Sequence, residues 1–287
     1  VLFRSSVAQA LQMQVVTLDD GVERLLLRDC QPTRETSCRP EEKQFFRGDS
    51  ARLEEILRRR GFAEVLLVSG GGNLDEGVKV GEVLRRYGAA VRVPAGHRCV
   101  SACTVAFLGG VMRTVDAEAT YEVHAYSGVR EALDDEDRAR IVSYPDRALE
   151  QRWRDERMTA GAWAERLFAY VQRMIGGRPN EGEIRAALAP LPERTPRYVS
   201  LGTYQQDVQR VRLEGAAAAH TAVMNIERSA MEDCIALLRA RLPALGRRAE
   251  PALKILDTMF SSAIIRTAPL SQETLLQMGY VTPLLPR

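Results

Sequence analysis

This chain of 287 residues lacks three features that would point to a membrane, to nucleic acid or to a metal. It has no run of about 18 apolar residues, the length that a membrane-spanning helix needs. Its 40 basic and 38 acidic side chains leave a net charge of +2, which gives no reason to expect a nucleic-acid surface. Its three histidines and five cysteines show no zinc-ligand spacing. We therefore predict no membrane span, no nucleic-acid partner and no metal, and no cofactor is implied.

The cysteines leave the redox compartment open. Cys30 and Cys38 flank a polar segment, where a local disulfide forms in an oxidising compartment and two thiols persist in a reducing one. Cys99 and Cys103 are separated by three residues, which is not a usual zinc pattern. Residues 6–10 read SVAQA and end in the small-x-small pattern that signal peptidase accepts. This pattern favours a periplasmic or exported protein, with a cytoplasmic one as the alternative.

Strand-like and helix-like segments alternate in the first half of the chain. Residues 14–18 and 24–27 are apolar around Asp20-Gly21, which is the turn chemistry of a β-hairpin. Asp49 or Ser50 is expected to cap the helix that follows. The further predicted elements are strand 65–68, helix 75–87, strand 90–93, turn 94–100, helix 101–108 and strand 120–124. This alternation predicts an α/β core with parallel strands.

Beyond residue 124 the pattern becomes helical. Long amphipathic segments are expected at 146–175, 203–242 and 253–262, and a short helix at 271–277. Gly176-Gly177 and the prolines at 190, 192 and 196 separate the first two. We predict an α/β core at 1–126, a helical elaboration at 127–265 and a C-terminal return to the core at 266–287.

Three features at strand ends suggest acyl-transfer chemistry. Gly70-Gly71-Gly72 ends a buried strand, Ser101 lies at a turn-to-helix junction, and His124 closes a strand. A serine hydroxyl becomes a nucleophile when a base takes its proton and N–H donors receive the oxyanion. Each feature alone has a structural alternative, since Ser101 can be a helix N-cap and the glycines a tight turn. Their joint position at the carboxyl ends of strands, where α/β sheets bind ligands, favours a site.

These residues carry a resemblance to a known family. The segment SGGGNLDEG at 69–77 resembles the glycine turn of the Clp protease proteolytic subunit in the ClpP/crotonase superfamily. Residues 99–110 resemble that family's nucleophile segment, and His124 follows Ser101 by 23 positions, close to the family spacing. The Cys-x-Ser-Ala-Cys form is similar to exported bacterial Clp-protease-like proteins. The resemblance covers roughly residues 45–126 and implies a repeated ββα core.

The resemblance also assigns roles. It implies that Ser101 is the nucleophile, that His124 is the general base, and that the N–H groups of Gly72 and Ala102 form an oxyanion hole. It returns at residues 270–282, which are similar to the family's closing helix and strand.

Two departures from the family pattern stand out. The position expected for the acid of the triad holds Thr267, and Asp257 is the nearest acidic candidate. The span between His124 and Ser271 is far longer than the family needs, which argues against the family's ring assembly while leaving a homo-oligomer open.

The sequence therefore supports three hypotheses. The first is a serine hydrolase, specifically a peptidase acting on a peptide or protein substrate through Ser101 and His124. The second is a non-catalytic protein of the same fold with a binding or scaffolding role, motivated by Thr267. The third is acyl-CoA chemistry of the crotonase kind, which uses a similar oxyanion hole.

Overall fold

The computed structural model describes residues 11–31, 37–38, 44–124, 133–175, 200–245, 250–261 and 267–282. The chain forms two compact units, which are Val1–Val123 with Thr267–Arg287, and His124–Arg266.

The described residues form eight strands and nine helices. The strands are β1 (Gln12–Thr17), β2 (Glu23–Arg28), β3 (Glu64–Val68), β4 (Ala90–Val93), β5 (Arg98–Val100), β6 (Met112–Val115), β7 (Thr120–Val123) and β8 (Ala268–Pro269). The helices are α1 (Asp49–Arg59), α2 (Leu74–Arg86), α3 (Ala102–Phe107), α4 (Asp135–Ser143), α5 (Pro145–Met174), α6 (Ser200–Glu214), α7 (Ala216–Leu245), α8 (Glu250–Ser261) and α9 (Gln272–Gln277).

The first unit contains two sheets. The larger has the order β1-β2-β3-β4-β6, with β1 antiparallel to β2 and the other strands parallel. In the smaller sheet β5 runs parallel to β7, and β8 runs antiparallel to β7. Along the chain β4 and β5 contribute one strand to each sheet, α3 follows, and β6 and β7 repeat that order. One complete ββα segment followed by a second pair of strands confirms the predicted α/β fold with a ClpP/crotonase-type core.

The central strand of the larger sheet is buried because its residues are apolar. Val65, Leu66 and Leu67 of β3 are almost completely buried, as predicted for a continuously apolar strand covered on both faces. The helices α2 and α3 approach each other so closely that their contact needs glycine. A Cβ on Gly77 would lie 2.6 Å from the Ala102 carbonyl oxygen, which leaves no room for a side chain.

The second unit is helical in its described parts, as the fold prediction required. Helix α5 packs along α7, and α4, α6 and α8 also pack against α7. A buried cluster fills the space between α4, α5, α6 and α7; its largest members include Trp153, Leu149 and Ile226. The amphipathic spacing of the long helices places these apolar side chains on one face.

Several boundaries differ from the prediction for identifiable reasons. The predicted turn at 94–100 contains β5, a three-residue strand that depends on its pairing with β7. Strand β6 and helix α4 were not predicted, since MRTV is half polar and α4 is mostly charged. The predicted helix 203–242 is broken at Gly215, whose φ of 62° ends α6.

The predicted cap of α1 was wrong. Helix α1 is preceded by Gly48 rather than capped by Asp49 or Ser50. The Asp49 carboxylate instead accepts hydrogen bonds from the N–H groups of Leu11 and Phe46, at 3.2 and 2.9 Å.

Of the closing helix and strand that the resemblance implied, the helix is present as α9, and residues 267–287 belong to the same unit as the α/β core. Among the described residues no strand follows α9; the Thr282 N–H instead donates to the Arg113 carbonyl oxygen at 3.0 Å. Residues 6–10, the Gly176-Gly177 pair and the prolines at 190, 192 and 196 lie outside the described residues.

Candidate functional site

Ser101 lies in a sharp turn between β5 and α3. Its φ of 58° and ψ of −124° make it the one residue other than glycine with positive φ among those the structure describes. Its N–H donates to the Glu122 carbonyl oxygen at 3.1 Å, and its own carbonyl accepts the Thr104 N–H at 2.9 Å. Non-glycine residues rarely adopt such angles, and they do so where the surrounding structure enforces them, often at functional sites.

The Ser101 side chain is not used as a helix cap. Ser101 occupies the N-cap position of α3, but its hydroxyl makes no capping hydrogen bond. Within the described part of the chain no hydrogen bond to this hydroxyl occurs. The side chain is partly exposed. The backbone of Ser101 is therefore fixed while its hydroxyl is left available, unlike in the N-cap alternative.

The glycine that touches Ser101 is Gly71. A Cβ on Gly71 would lie 2.5 Å from the Ser101 Cβ and 3.1 Å from the Ala102 nitrogen, and its φ is 102°. A Cβ on Gly72 would instead meet Gln44 and Phe45, each at 2.7 Å. Gly71 therefore packs against the serine turn, a contact that the sequence did not predict.

The two predicted oxyanion donors are both available. The N–H groups of Gly72 and Ala102 have no hydrogen-bond acceptor among the described residues. Ala102 is the first residue of α3, so its N–H has no partner within the helix. Their roles in an oxyanion hole stay predictions.

A buried carboxylate holds the glycine turn in place. One oxygen of Asp29 accepts the Ser69 hydroxyl at 2.6 Å, and the other accepts the Gly70 N–H at 2.7 Å. The Ser69 oxygen in turn accepts the Gly71 N–H at 3.0 Å. Asp29 thus holds the Gly70 N–H directly and the Gly71 N–H through Ser69, in the turn that contacts Ser101.

The electrostatics of Asp29 reflect its burial. Burial raises the pKa of Asp29 to about 6, against the hydrogen bonds from Ser69 and Gly70 and the nearby charge of Arg98, which lower it. Asp29 was not predicted from the sequence. Its signal was an acidic residue at the carboxyl end of a parallel strand, since Asp29 directly follows β2.

Two disulfides lie near these residues. Cys30 is bonded to Cys38, which decides between the two alternatives that the sequence left open. Cys99 is bonded to Cys103, with Ser101 midway between them. The second disulfide was missed because the spacing of its cysteines was considered only as a metal pattern. The signal was a cysteine on each side of a strand-to-helix junction.

The position of the expected triad acid holds Thr267, and its hydroxyl donates to the Glu122 carboxylate. Asp257, the other acidic candidate, forms an ion pair with Arg239 in the helical unit. His124 directly follows β7. The pairing of Ser101 with His124 stays a prediction.

The described residues contain neither a candidate metal site nor a candidate membrane-spanning helix. No group of three or more His, Cys, Asp and Glu side chains there could hold a metal ion. No helix there is both long and apolar enough to cross a bilayer.

Comparison with known proteins gives little beyond this description. No protein-family model matches the chain, and no curated protein matches it. A solved structure to which the chain is similar is that of a protein of Streptomyces coelicolor A3(2) assigned as an enoyl-CoA hydratase. The two share 16% sequence identity over 83% of this chain and 88% of the other, with a TM-score of 0.28. A TM-score this low carries no weight for the fold, which rests on the strand order described above.

Proposed function

We propose that this protein is a serine hydrolase that cleaves peptide bonds and that it is similar to the exported bacterial Clp-protease-like proteins. In this proposal Ser101 is the nucleophile and His124 the general base. The N–H groups of Gly72 and Ala102 stabilise the oxyanion.

The conformation of Ser101 is the observation that carries the proposal. A strained strand-to-helix turn that exposes a serine hydroxyl is a known way to present a nucleophile, with the N–H of the next residue as an oxyanion donor. Ser101 has this arrangement: its φ is 58°, its hydroxyl makes no capping bond, and the Ala102 N–H is unpaired in the described structure. A serine kept only for helix capping would not need these angles.

The reaction would proceed in two halves. The Ser101 oxygen attacks the scissile carbonyl carbon as its proton passes to His124, and the carbonyl oxygen becomes an oxyanion facing the two N–H donors. His124 then gives the proton to the leaving amine, and an acyl-enzyme remains. Water gives a proton to His124 as it attacks the acyl carbon, and His124 then returns that proton to the Ser101 oxygen as the carboxylic acid product leaves. Loss of one oxyanion donor typically lowers kcat by about 10²–10³.

An oxidising compartment is part of the proposal. Disulfides persist in exported and periplasmic proteins and are rare in the cytosol. The Cys30–Cys38 and Cys99–Cys103 bonds support a periplasmic or exported location. The SVAQA segment at residues 6–10 is the sequence feature that agrees with it.

Fluorophosphonate labelling of the full chain tests the nucleophile. We expect an adduct that peptide mapping places on Ser101, with labelling abolished in Ser101→Ala and strongly reduced in His124→Ala. Ser271 provides a matched control, since it is also a serine before a helix, with its side chain accepting the Thr274 N–H. Ser271→Ala should label as the wild type does. No adduct at any pH between about 6 and 9, a range across which an ordinary imidazole loses its proton, would overturn the proposal.

A non-catalytic binding role is the second candidate. Thr267, at the position of the expected acid, contacts Glu122 and offers no carboxylate of its own. A folded protein that neither labels at Ser101 nor cleaves a peptide library would favour this role. Binding of an immobilised acyl-CoA under the same conditions would instead favour acyl-CoA chemistry.

A further inference from the structure

The Cys99–Cys103 disulfide closes a short loop around Ser101. Cys99 lies in β5 and Cys103 in α3, and both are completely buried. Their Cα atoms are 5.3 Å apart. Four residues of extended chain would span about 13 to 14 Å, so the bond excludes open conformations of this segment. Cys30–Cys38 joins residues eight positions apart and does not enclose Ser101.

The enclosed residue is the strained one. Ser101 holds a positive φ that L-residues with a side chain avoid, and such angles persist only when the surroundings impose them. Its neighbours in space cannot move away freely, since Gly71 contacts the Ser101 side chain and Gly77 contacts the Ala102 carbonyl. The cystine spans the turn and so restricts both of its ends.

We propose that the Cys99–Cys103 disulfide is a positioning element that holds Ser101 in its positive-φ conformation beside Gly71. The cystine touches neither substrate nor reacting atoms; it acts through Ser101. The catalytic consequence rests on the proposed hydrolase function, whereas the conformational claim does not.

A thermodynamic coupling experiment tests the conformational claim without any activity. Ser101→Gly and Ser101→Ala are each made in the native chain and in a Cys99→Ala/Cys103→Ala background. Glycine tolerates positive φ and alanine does not, so in the native chain the glycine variant should melt about 2–4 °C higher than the alanine variant. Without the disulfide the backbone can relax, and the difference should shrink below about 1 °C.

Two controls keep this comparison sound. The same pair of variants in a Cys30→Ala/Cys38→Ala background should retain the full difference in melting temperature, because that disulfide does not enclose Ser101. Since Cys99 and Cys103 are buried, a Cys99→Val/Cys103→Ala background that refills part of the lost volume replaces the alanine pair if the latter fails to fold. An equal glycine–alanine difference with and without the Cys99–Cys103 bond would overturn the inference.

Labelling kinetics test the catalytic consequence. At a temperature where all variants are folded, the maximal rate of fluorophosphonate labelling should fall about 100-fold without the Cys99–Cys103 bond, since a misplaced nucleophile costs about that much. The reagent concentration at half-maximal rate should change little, and Cys30→Ala/Cys38→Ala should label normally. Unchanged labelling of the protein that lacks the Cys99–Cys103 disulfide would refute the catalytic consequence of the proposal. If the wild type itself does not label, the proposed function fails and the melting experiment still decides the conformational claim.

Discussion

Two serines in this protein each precede a helix, and they are held in different ways. Ser271 has φ −68° and ψ 157°, and its side chain accepts the Thr274 N–H. Ser101 has φ 58° and ψ −124°, and its side chain caps nothing. The first is an ordinary N-cap whose geometry comes from residues within three positions of it.

The turn at Ser101 depends on residues far away in the sequence. Asp29 holds Gly70, and Gly71 fills the space against Ser101. Glu122 receives the Ser101 N–H, and a disulfide spans the turn. A local turn forms wherever its own residues allow it, whereas this turn requires several strands to be assembled first. Because several contacts hold the turn at once, the serine can persist in a strained conformation.

The largest predicted effect compares two glycines with positive φ, Gly71 beside Ser101 and Gly279 at the end of the helix that Ser271 caps. Gly71→Ala should lower the free energy of unfolding by about 3 kcal/mol or more and abolish labelling at Ser101, because the added Cβ meets backbone at a positive φ. Gly279 ends α9, also has positive φ (75°), and has open space around it. Gly279→Ala should cost only about 1 kcal/mol. Chemical denaturation of both variants measures the difference.

Equal losses for the two glycine variants would show that positive φ alone matters. The close contact between Gly71 and Ser101 would then not constrain the turn.

The second predicted effect is a pH dependence due to Asp29. Its pKa is about 6 in the folded protein and near 4 in the unfolded chain, so the folded state binds more protons between these values. The free energy of unfolding contributed by Asp29 therefore falls as pH rises from about 4 to 6, by roughly 2–3 kcal/mol in total. Asp29→Asn removes this contribution. The stability of the wild type relative to Asp29→Asn should be higher at pH 4 than at pH 7.

Urea denaturation at several pH values measures this difference. Arg98 and Asp49 also act on the pKa of Asp29, one lowering and one raising it, and both remain in the variant. A stability difference that does not change with pH, or that grows as pH rises, would contradict the assignment.

The smallest predicted effect compares the two serines directly. Ser271→Ala should lower the free energy of unfolding by about 1 kcal/mol, because it removes a capping acceptor. Ser101→Ala should change it by less than about 0.5 kcal/mol, since the Ser101 hydroxyl caps nothing. Thermal unfolding at one pH resolves the two, and a larger loss for Ser101→Ala would mean that its hydroxyl has a structural bond after all.

Local patterns were sufficient for much of the fold. The continuous apolar run of β3, the amphipathic period of α2 and the Asp20-Gly21 hairpin each reflect residues close together in the sequence. Strand β5 was missed because its three residues are a strand only through pairing with β7. Helix α4 was missed because few of its residues are apolar, although Asp134 caps it.

Some residues of the candidate site were also found from local sequence patterns, and others were not. Ser101, Ala102 and the glycine segment were found from their positions at strand and helix ends. Which glycine meets the serine could not be found that way, since Gly71 and Gly72 are neighbours with identical side chains and differ only in what packs against them. Asp29 was missed because 40 positions separate it from Ser69.

The sequence by itself determined that an α/β core with a helical elaboration would form and that a serine, a glycine turn and a histidine would fall at strand ends. These follow from hydrophobic period and turn chemistry, which are local properties. Only the tertiary structure decided that Ser101 adopts a positive φ and that Gly71 lies against it. Such features depend on contacts between distant segments, and no local pattern encodes the energy of those contacts.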